Sequence, residues 1–465
     1  MRLEDRAPWP YVGLLAVVIL SPLPLGSNRP LAWNILALVL SASVAGWGMS
    51  APRAASSPVR VHASLALPAA IMAAIVGWML AGLIPDVFWA DPAWRQAEAV
   101  LGTQSYGSGS LDPDATVAAL VRLASYLSVF WLALQYGWQR RRAIELVACL
   151  GLSGTIYALY GLVAHSEHFH LLPDLMKTPA TAWLSGPFVN RNHFATYLAL
   201  ACLANVAVAI ITFRERWRRI GYITVVPARA MSSLCTLSAA FWISAAVCAM
   251  ALFATGSRMG MVALASGFIV CLLALAANGV LGPHRRMAVL LGALVLLAGL
   301  AVRLASIGNT VAATEFDRSR IFAMSLAAIG ERPFVGHGYG TFASAVLRYR
   351  DGVFAPTYDV TAAHNVFLEM AVELGVPAAV AWVLAIGLLA RCCLMAVLRC
   401  RRAQILPAAA LASCATVAVH SLADFSVQIP AVAIAFSMLL AVGVAQSFSG
   451  RGHPASRIHG AVVPA

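Results

Sequence analysis

The chain is 465 residues long, 61% hydrophobic and only 11% charged, with a mean hydropathy of +0.80. So little polar surface excludes a soluble globular protein. The formal charge of +13 excludes no less: its basic residues fall in short clusters between apolar runs, which is a topology pattern rather than a nucleic-acid-binding stripe.

The opening "MRLEDRAPWPYVGLLAVVIL" carries acidic residues before its apolar run and no small-x-small cleavage site, so a retained first helix is expected. A hydrocarbon layer of ~30 Å is crossed by about twenty apolar residues in a helix. On that scale the chain predicts an all-α polytopic membrane protein with about twelve spans. They lie near 11–26, 30–49, 64–84, 115–136, 143–164, 192–212, 234–254, 259–278, 287–304, 366–390, 405–423 and 430–447. The nine cysteines sit in apolar spans or basic linkers, which implies neither a disulfide framework nor zinc-ligand spacing. There is no internal repeat, so the whole of 1–465 is expected to form a single transmembrane helical domain.

Alternate linkers collect the arginines: Arg53 and Arg60, "QRRR" at 139–142, "FRERWRR" at 213–219, "GPHRR" at 282–286 and "RCCLMAVLRCRR" at 391–402. This sorting predicts that both termini and those linkers are cytoplasmic. The opposite face then carries three long segments, 85–114, 165–190 and 305–365. The last, between the ninth and tenth spans, has aromatic and glycine punctuation and is expected to lay short helices over the bundle.

Basic residues on the outer face are the exceptions to the sorting. Arg191 in "GPFVNRNHFATYLAL" opens the sixth span, and Arg258 in "ATGSRMGMVAL" occupies the turn before the eighth. Arg318 and Arg320 in "EFDRSRIFAM" open the large loop. An arginine at the edge of hydrocarbon is unfavourable without an anionic partner, and its planar fork matches two phosphate oxygens. The alternative is interfacial snorkelling. In "TAAHNVFLEMAVELG", Asn365, Glu369 and Glu373 are spaced i, i+4, i+8 and are expected on one face of the tenth span, with His364 at its outer end. Such a group is either a polar seam between helices or a general base with carboxylates that orient the imidazole. "PFVGHGYGTF" lacks the spacing of a nucleotide loop and is expected to bring His337 and Tyr339 over the bundle. His165, His168 and His170 have a spacing that suits no metal site, and His420 with Asp424 is expected to form a hydrogen-bonded structural pair.

Taken in order, "GPFVNRNHFATYLAL", "TGSRMG", "SRIFAMSLAAIGERPFVGHGYGTF" and "AHNVFLEMAVELGVPA" resemble the bacterial O-antigen ligase and O-antigen polymerase superfamily. These are integral membrane glycosyltransferases acting on undecaprenyl-diphosphate-linked glycans. The segment "ADPAWRQA" matches family text only loosely, with Asp91 where a histidine is common. The resemblance implies Arg191, Arg258 and His364 as catalytic residues, and Arg320 as a further substrate contact. Beside these, Asn365, Glu369, Glu373, His337 and Tyr339 are the expected substrate-binding residues.

The resemblance further implies an inverting transfer at the periplasmic face of the inner membrane, without metal or other cofactor. The arginines would hold the diphosphate leaving group and His364 would activate the acceptor hydroxyl. The implied partners are an undecaprenyl-diphosphate-linked glycan donor, a lipid-anchored saccharide acceptor and membrane lipids, and no nucleic acid. A ligase would use a lipid A–core acceptor, whereas a polymerase would use a second lipid-linked repeat. A transporter, the alternative of another class, would more often show two related halves, which this chain lacks.

Overall fold

The computed structural model describes residues 8–50, 59–103, 106–167, 183–220, 228–277, 312–350, 360–399 and 405–449. Among these the chain is helical, without a named strand, which is the all-α membrane architecture expected from the sequence. The helices are α1 (Trp9–Leu20), α2 (Pro30–Ser50), α3 (Ala66–Ala81), α4 (Pro92–Leu101), α5 (Pro113–Gly137), α6 (Arg140–Glu167), α7 (Arg191–Ile220), α8 (Ala228–Ala254) and α9 (Arg258–Ala277). After them come α10 (Ala312–Glu331), α11 (Phe342–Val346), α12 (Val366–Leu374), α13 (Val376–Arg399), α14 (Ile405–His420) and α15 (Pro430–Phe448).

Eight helices among the described residues are long and apolar enough to cross a membrane, and the apolar helices Trp9–Leu20, Arg258–Ala274 and Ile405–His420 are shorter. The expected span at 287–304, like His168 and His170, lies outside the described residues.

Two helices form the centre. In α7 89% of the apolar window is buried and in α15 94%, against 22% in α13. The first two are small-residue helices ("ATYLALACLANVAVA", "AVAIAFSMLLAVGVA"), so neighbours approach them closely on all sides. Accordingly α7 packs against α6, α8, α9 and α14, and α15 packs against α5, α13 and α14. Large exposed apolar side chains on α2, α6, α8 and α13, such as Leu38, Ile156, Ile243 and Val380, face outward, as lipid contact requires.

The expected tenth span needs correction. The apolar run of 366–390 is two helices, α12 and α13, because Gly375 breaks it with φ +80° and ψ 157°. The local reason is in "ELGVPA": Pro377 has no N–H, and its ring would clash with the Glu373 carbonyl in a continuous helix. A β-carbon at Gly375 would also sit 2.4 Å from the Phe334 carbonyl oxygen, so glycine alone fits there. Glu369 and Glu373 therefore ride a nine-residue helix outside the span, and Asn365 is its N-cap rather than part of its face.

Of the three long outer segments, the described residues of 85–114 and 305–365 fold together as one lobe. Ile321, Met324, Ala328, Phe342, Val346, Val360, Ala363 and Val372 form its own apolar core. Leu111 N–H donates to the His337 carbonyl at 2.8 Å, joining the α4–α5 connection to the turn after α10. Arg332 donates to the carbonyls of Trp89 (2.6 Å), Ala90 (3.2 Å) and Gly336 (2.6 Å). At the centre of the lobe Asp91 Oδ2 lies 2.8 Å from His337 Nδ1 and 3.6 Å from Arg332, while Asp91 Oδ1 accepts from Arg348 at 3.2 Å.

Candidate active site

The site begins with two helix N-termini side by side. Asn190 caps α7: its side-chain oxygen accepts from Asn192 N–H at 2.8 Å. Ser257 does the same for α9, accepting from Gly260 N–H at 3.2 Å, and its own hydroxyl donates to Asn192 Oδ1 at 2.8 Å. The chain reaches Ser257 through Gly256 at φ +63°, a left-handed turn that the sequence "TGS" makes inexpensive. A β-carbon at Gly260 would come within 2.7 Å of the Ala195 side chain, so glycine lets α9 close on α7.

The first residue of each helix is thereby an arginine, Arg191 and Arg258. The charges of Arg258 and of Arg318, on α10, both act on Arg191. The Arg191 guanidinium lies 4.5 Å over the Trp183 ring, and its Nη1 is buried without a hydrogen-bond partner. Arg258 and Arg318 add positive charge to the surroundings of Arg191 and of two positive helix ends, a setting that favours an anion. Arg320, two residues beyond Arg318, is half-buried on the same helix.

The second part of the site is histidine-rich. Segment 361–365 is laced to the loop after α14: Asn365 Nδ2 donates to the Leu422 carbonyl at 3.1 Å and Val366 N–H to the Ser421 carbonyl at 3.0 Å. Asn365 Oδ1 meanwhile caps α12 through Phe367 N–H and Leu368 N–H. Between these anchors His364 adopts φ +52°, a conformation strained for a side chain with a β-carbon. Its Nδ1 lies 3.6 Å from Asp424 Oδ1, its ring stands edge-on to Phe425 at 5.3 Å, and its side chain stays 27% exposed.

Asp424 is fully buried. Its Oδ2 accepts the Ser426 hydroxyl and lies 3.8 Å from both His193 Nε2 and His420 Nδ1. Burial opposes the carboxylate charge, but the facing imidazoles of His364, His193 and His420 outweigh it and hold the carboxyl below the usual carboxylate range. Arg318 acts on His420 as well as on Arg191, which connects the basic cluster to the histidine cluster.

The structure thus brings together Arg191, Arg258 and His364 of the expected residues, and adds Arg318, Asp424, His193 and His420. The remaining expectations are redirected. Glu369 and Glu373 are buried and turn to backbone N–H groups rather than to the imidazole; they accept from Ala363 N–H (2.8 Å), just before α12, and from Phe342 N–H (3.1 Å), at the start of α11. Burial raises both carboxyls towards their neutral form. His337 is wholly buried in the lobe, its Nε2 against the Ala328 carbonyl at 3.2 Å, and has no nitrogen left for a substrate. The Tyr339 ring packs towards Trp382 at 6.3 Å. The carboxylate that faces His364 was legible only as half of the pair His420/Asp424, and nothing in "NRNH" marked His193.

Residues 239–383 match the O-antigen ligase family. This stretch contains Arg258, Arg318 and His364. That match, over about a third of the chain, supports membership of the O-antigen ligase and polymerase superfamily. No curated protein matches the chain. The match supports an O-antigen ligase or polymerase type of function and implies lipid-linked saccharides as the substrate class in a multi-pass membrane setting.

Proposed function

We propose that the protein transfers a glycan from a polyprenyl diphosphate to a hydroxyl of a lipid-anchored saccharide at the periplasmic face of the inner membrane. The observation that carries this is the convergence of Arg191, Arg258 and Arg318 beside a part-exposed imidazole backed by a buried carboxylate. Arginine forks and helix N-termini suit the two phosphates of a diphosphate leaving group, and they supply the charge stabilisation a divalent cation supplies elsewhere. With Nδ1 turned to Asp424, His364 offers Nε2 to the acceptor.

In the step itself the acceptor hydroxyl gives its proton to His364 Nε2 as its oxygen bonds the anomeric carbon. The bond from that carbon to the phosphate oxygen breaks on the opposite face, and its electron pair leaves with the diphosphate. The anomeric configuration inverts. Asp424 stabilises the imidazolium formed. No residue in this account binds a metal.

The test is reconstitution: purified protein in liposomes with an undecaprenyl-diphosphate glycan and a lipid A–core acceptor, product read by mass spectrometry. Glycosylated acceptor supports a ligase. Lengthening of the donor glycan alone supports a polymerase, which the same geometry serves with a second lipid-linked repeat as acceptor. Neither product from folded protein would overturn the proposal.

A further inference from the structure

The first turn of α7 reaches both halves of the site through three consecutive residues. Arg191 enters the basic cluster, Asn192 accepts the Ser257 hydroxyl that starts α9 and places Arg258, and His193 turns to Asp424. His193 is the member with no role in the transfer as written. It is 4% exposed, its Nε2 has no hydrogen-bond partner, and Asp424 Oδ2 lies 3.8 Å from it. Its ring stands edge-on to Phe425 at 4.7 Å, the same ring that His364 meets at 5.3 Å.

Asp424 has two oxygens with different surroundings. Oδ2 faces Ser426, His193 and His420, whereas Oδ1 faces His364 at 3.6 Å. A carboxylate hydrogen-bonded at one oxygen by Ser426 and flanked there by two imidazoles is restrained in rotation, which helps the other oxygen keep its direction. Of the three, Ser426 lies on the same loop as Asp424, and His420 is the last residue of α14, four residues before it. His193 comes from the central helix, the helix that opens with Arg191, and so ties the loop to the arginines.

We infer that His193 is a positioning residue: by packing its imidazole against Asp424 Oδ2 and the Phe425 ring, it sets His364 in register with the arginine that opens the same helical turn. This rests on the transfer proposed above. The consequence is a single rigid element that fixes the spacing between leaving group and base, the quantity on which in-line displacement depends most steeply. A group acting behind a base alters the chemical step and leaves donor binding alone.

The test compares H193A, H193Q and D424N in the same reconstituted transfer. The H193A variant is expected to lower kcat by ~10- to 100-fold, the effect of removing the outer partner of a functional histidine, with donor KM unchanged. H193Q, whose amide N–H reaches the same oxygen, is expected to recover most of it. The double variant H193A/D424N is expected to lose no more than D424N alone, because both act through one carboxylate. Additive losses, a raised donor KM, or failure of glutamine to rescue would overturn the inference. A second readout needs no activity: in a cryo-EM structure of H193A, the His364 Nδ1 to Asp424 Oδ1 separation should widen relative to wild type. An unchanged separation would refute the positioning role. Absence of transfer in the wild type would instead refute the proposed function.

Discussion

The outer lobe depends on one buried carboxylate, and its removal has a calculable effect. Asp91 is inaccessible, with His337 at 2.8 Å, Arg348 at 3.2 Å, Arg332 at 3.6 Å and Ala93 N–H at 2.9 Å. Burial alone would raise its carboxyl; the His337 and Ala93 hydrogen bonds and the Arg332 charge reverse that and take it from 3.8 down to about 2. At 1.36 kcal/mol per tenfold, that difference is about 2 kcal/mol of net stabilisation. Asp91→Asn keeps an oxygen for Ala93 N–H but leaves Arg332 and His337 buried without their anion, a situation that costs about 3–5 kcal/mol. Taking about 3 kcal/mol as the local loss, opening of the lobe becomes ~10²-fold more frequent, at 1.4 kcal/mol per tenfold.

Hydrogen–deuterium exchange in nanodiscs reads this directly. Peptides covering 106–116 and 332–346 contain the Leu111, His337 and Gly338 amides that close the lobe, and they should exchange about 10²-fold faster in Asp91→Asn. The peptide over 194–210 should not change. The folded carboxyl is depressed, so its contribution is present above pH ~4 and is lost as pH falls from ~4 towards ~2, where wild type should approach the variant. Unchanged lobe exchange, or equal acceleration of the central helix, would refute the assignment of Asp91 as the lobe's keystone.

Other outcomes follow from the active-site geometry. His364→Ala should lower turnover by ~10²–10⁴-fold, the range for a positioned acid–base group, while donor binding measured by scintillation proximity persists. Arg258→Lys keeps the charge but removes the fork, so donor affinity and turnover should fall together. Excess EDTA should leave transfer intact, and loss restored by magnesium or manganese would contradict an arginine-held leaving group. For orientation, a cysteine at Leu347, which is 57% exposed in the lobe, should react with an impermeant maleimide from the periplasm, whereas one at the exposed Arg141 should not.

Composition and the spacing of apolar runs sufficed to determine the membrane class and most helices, because a hydrocarbon layer demands long apolar helices whatever they pack against. Arginines outside the sorted linkers pointed to the outer face for a similar reason: a charge near hydrocarbon needs a partner, and that need is visible locally in "VNRNH" and "GSRMG". The break at Gly375 was also written in the chain, as a glycine followed two residues later by proline, but the apolar run across it masked the signal. What the sequence could not determine was which groups meet. Glu369 and Glu373 lie close to His364 along the chain, yet they turn to the backbone of Ala363 and Phe342. The carboxylate that faces the imidazole comes from Asp424, sixty residues downstream by numbering. His193 reaches that carboxylate from α7, which is earlier still. Pairings of this kind depend on helices α7, α9 and α14 closing on one another, and the direction of a buried side chain is set by that packing rather than by its neighbours in sequence.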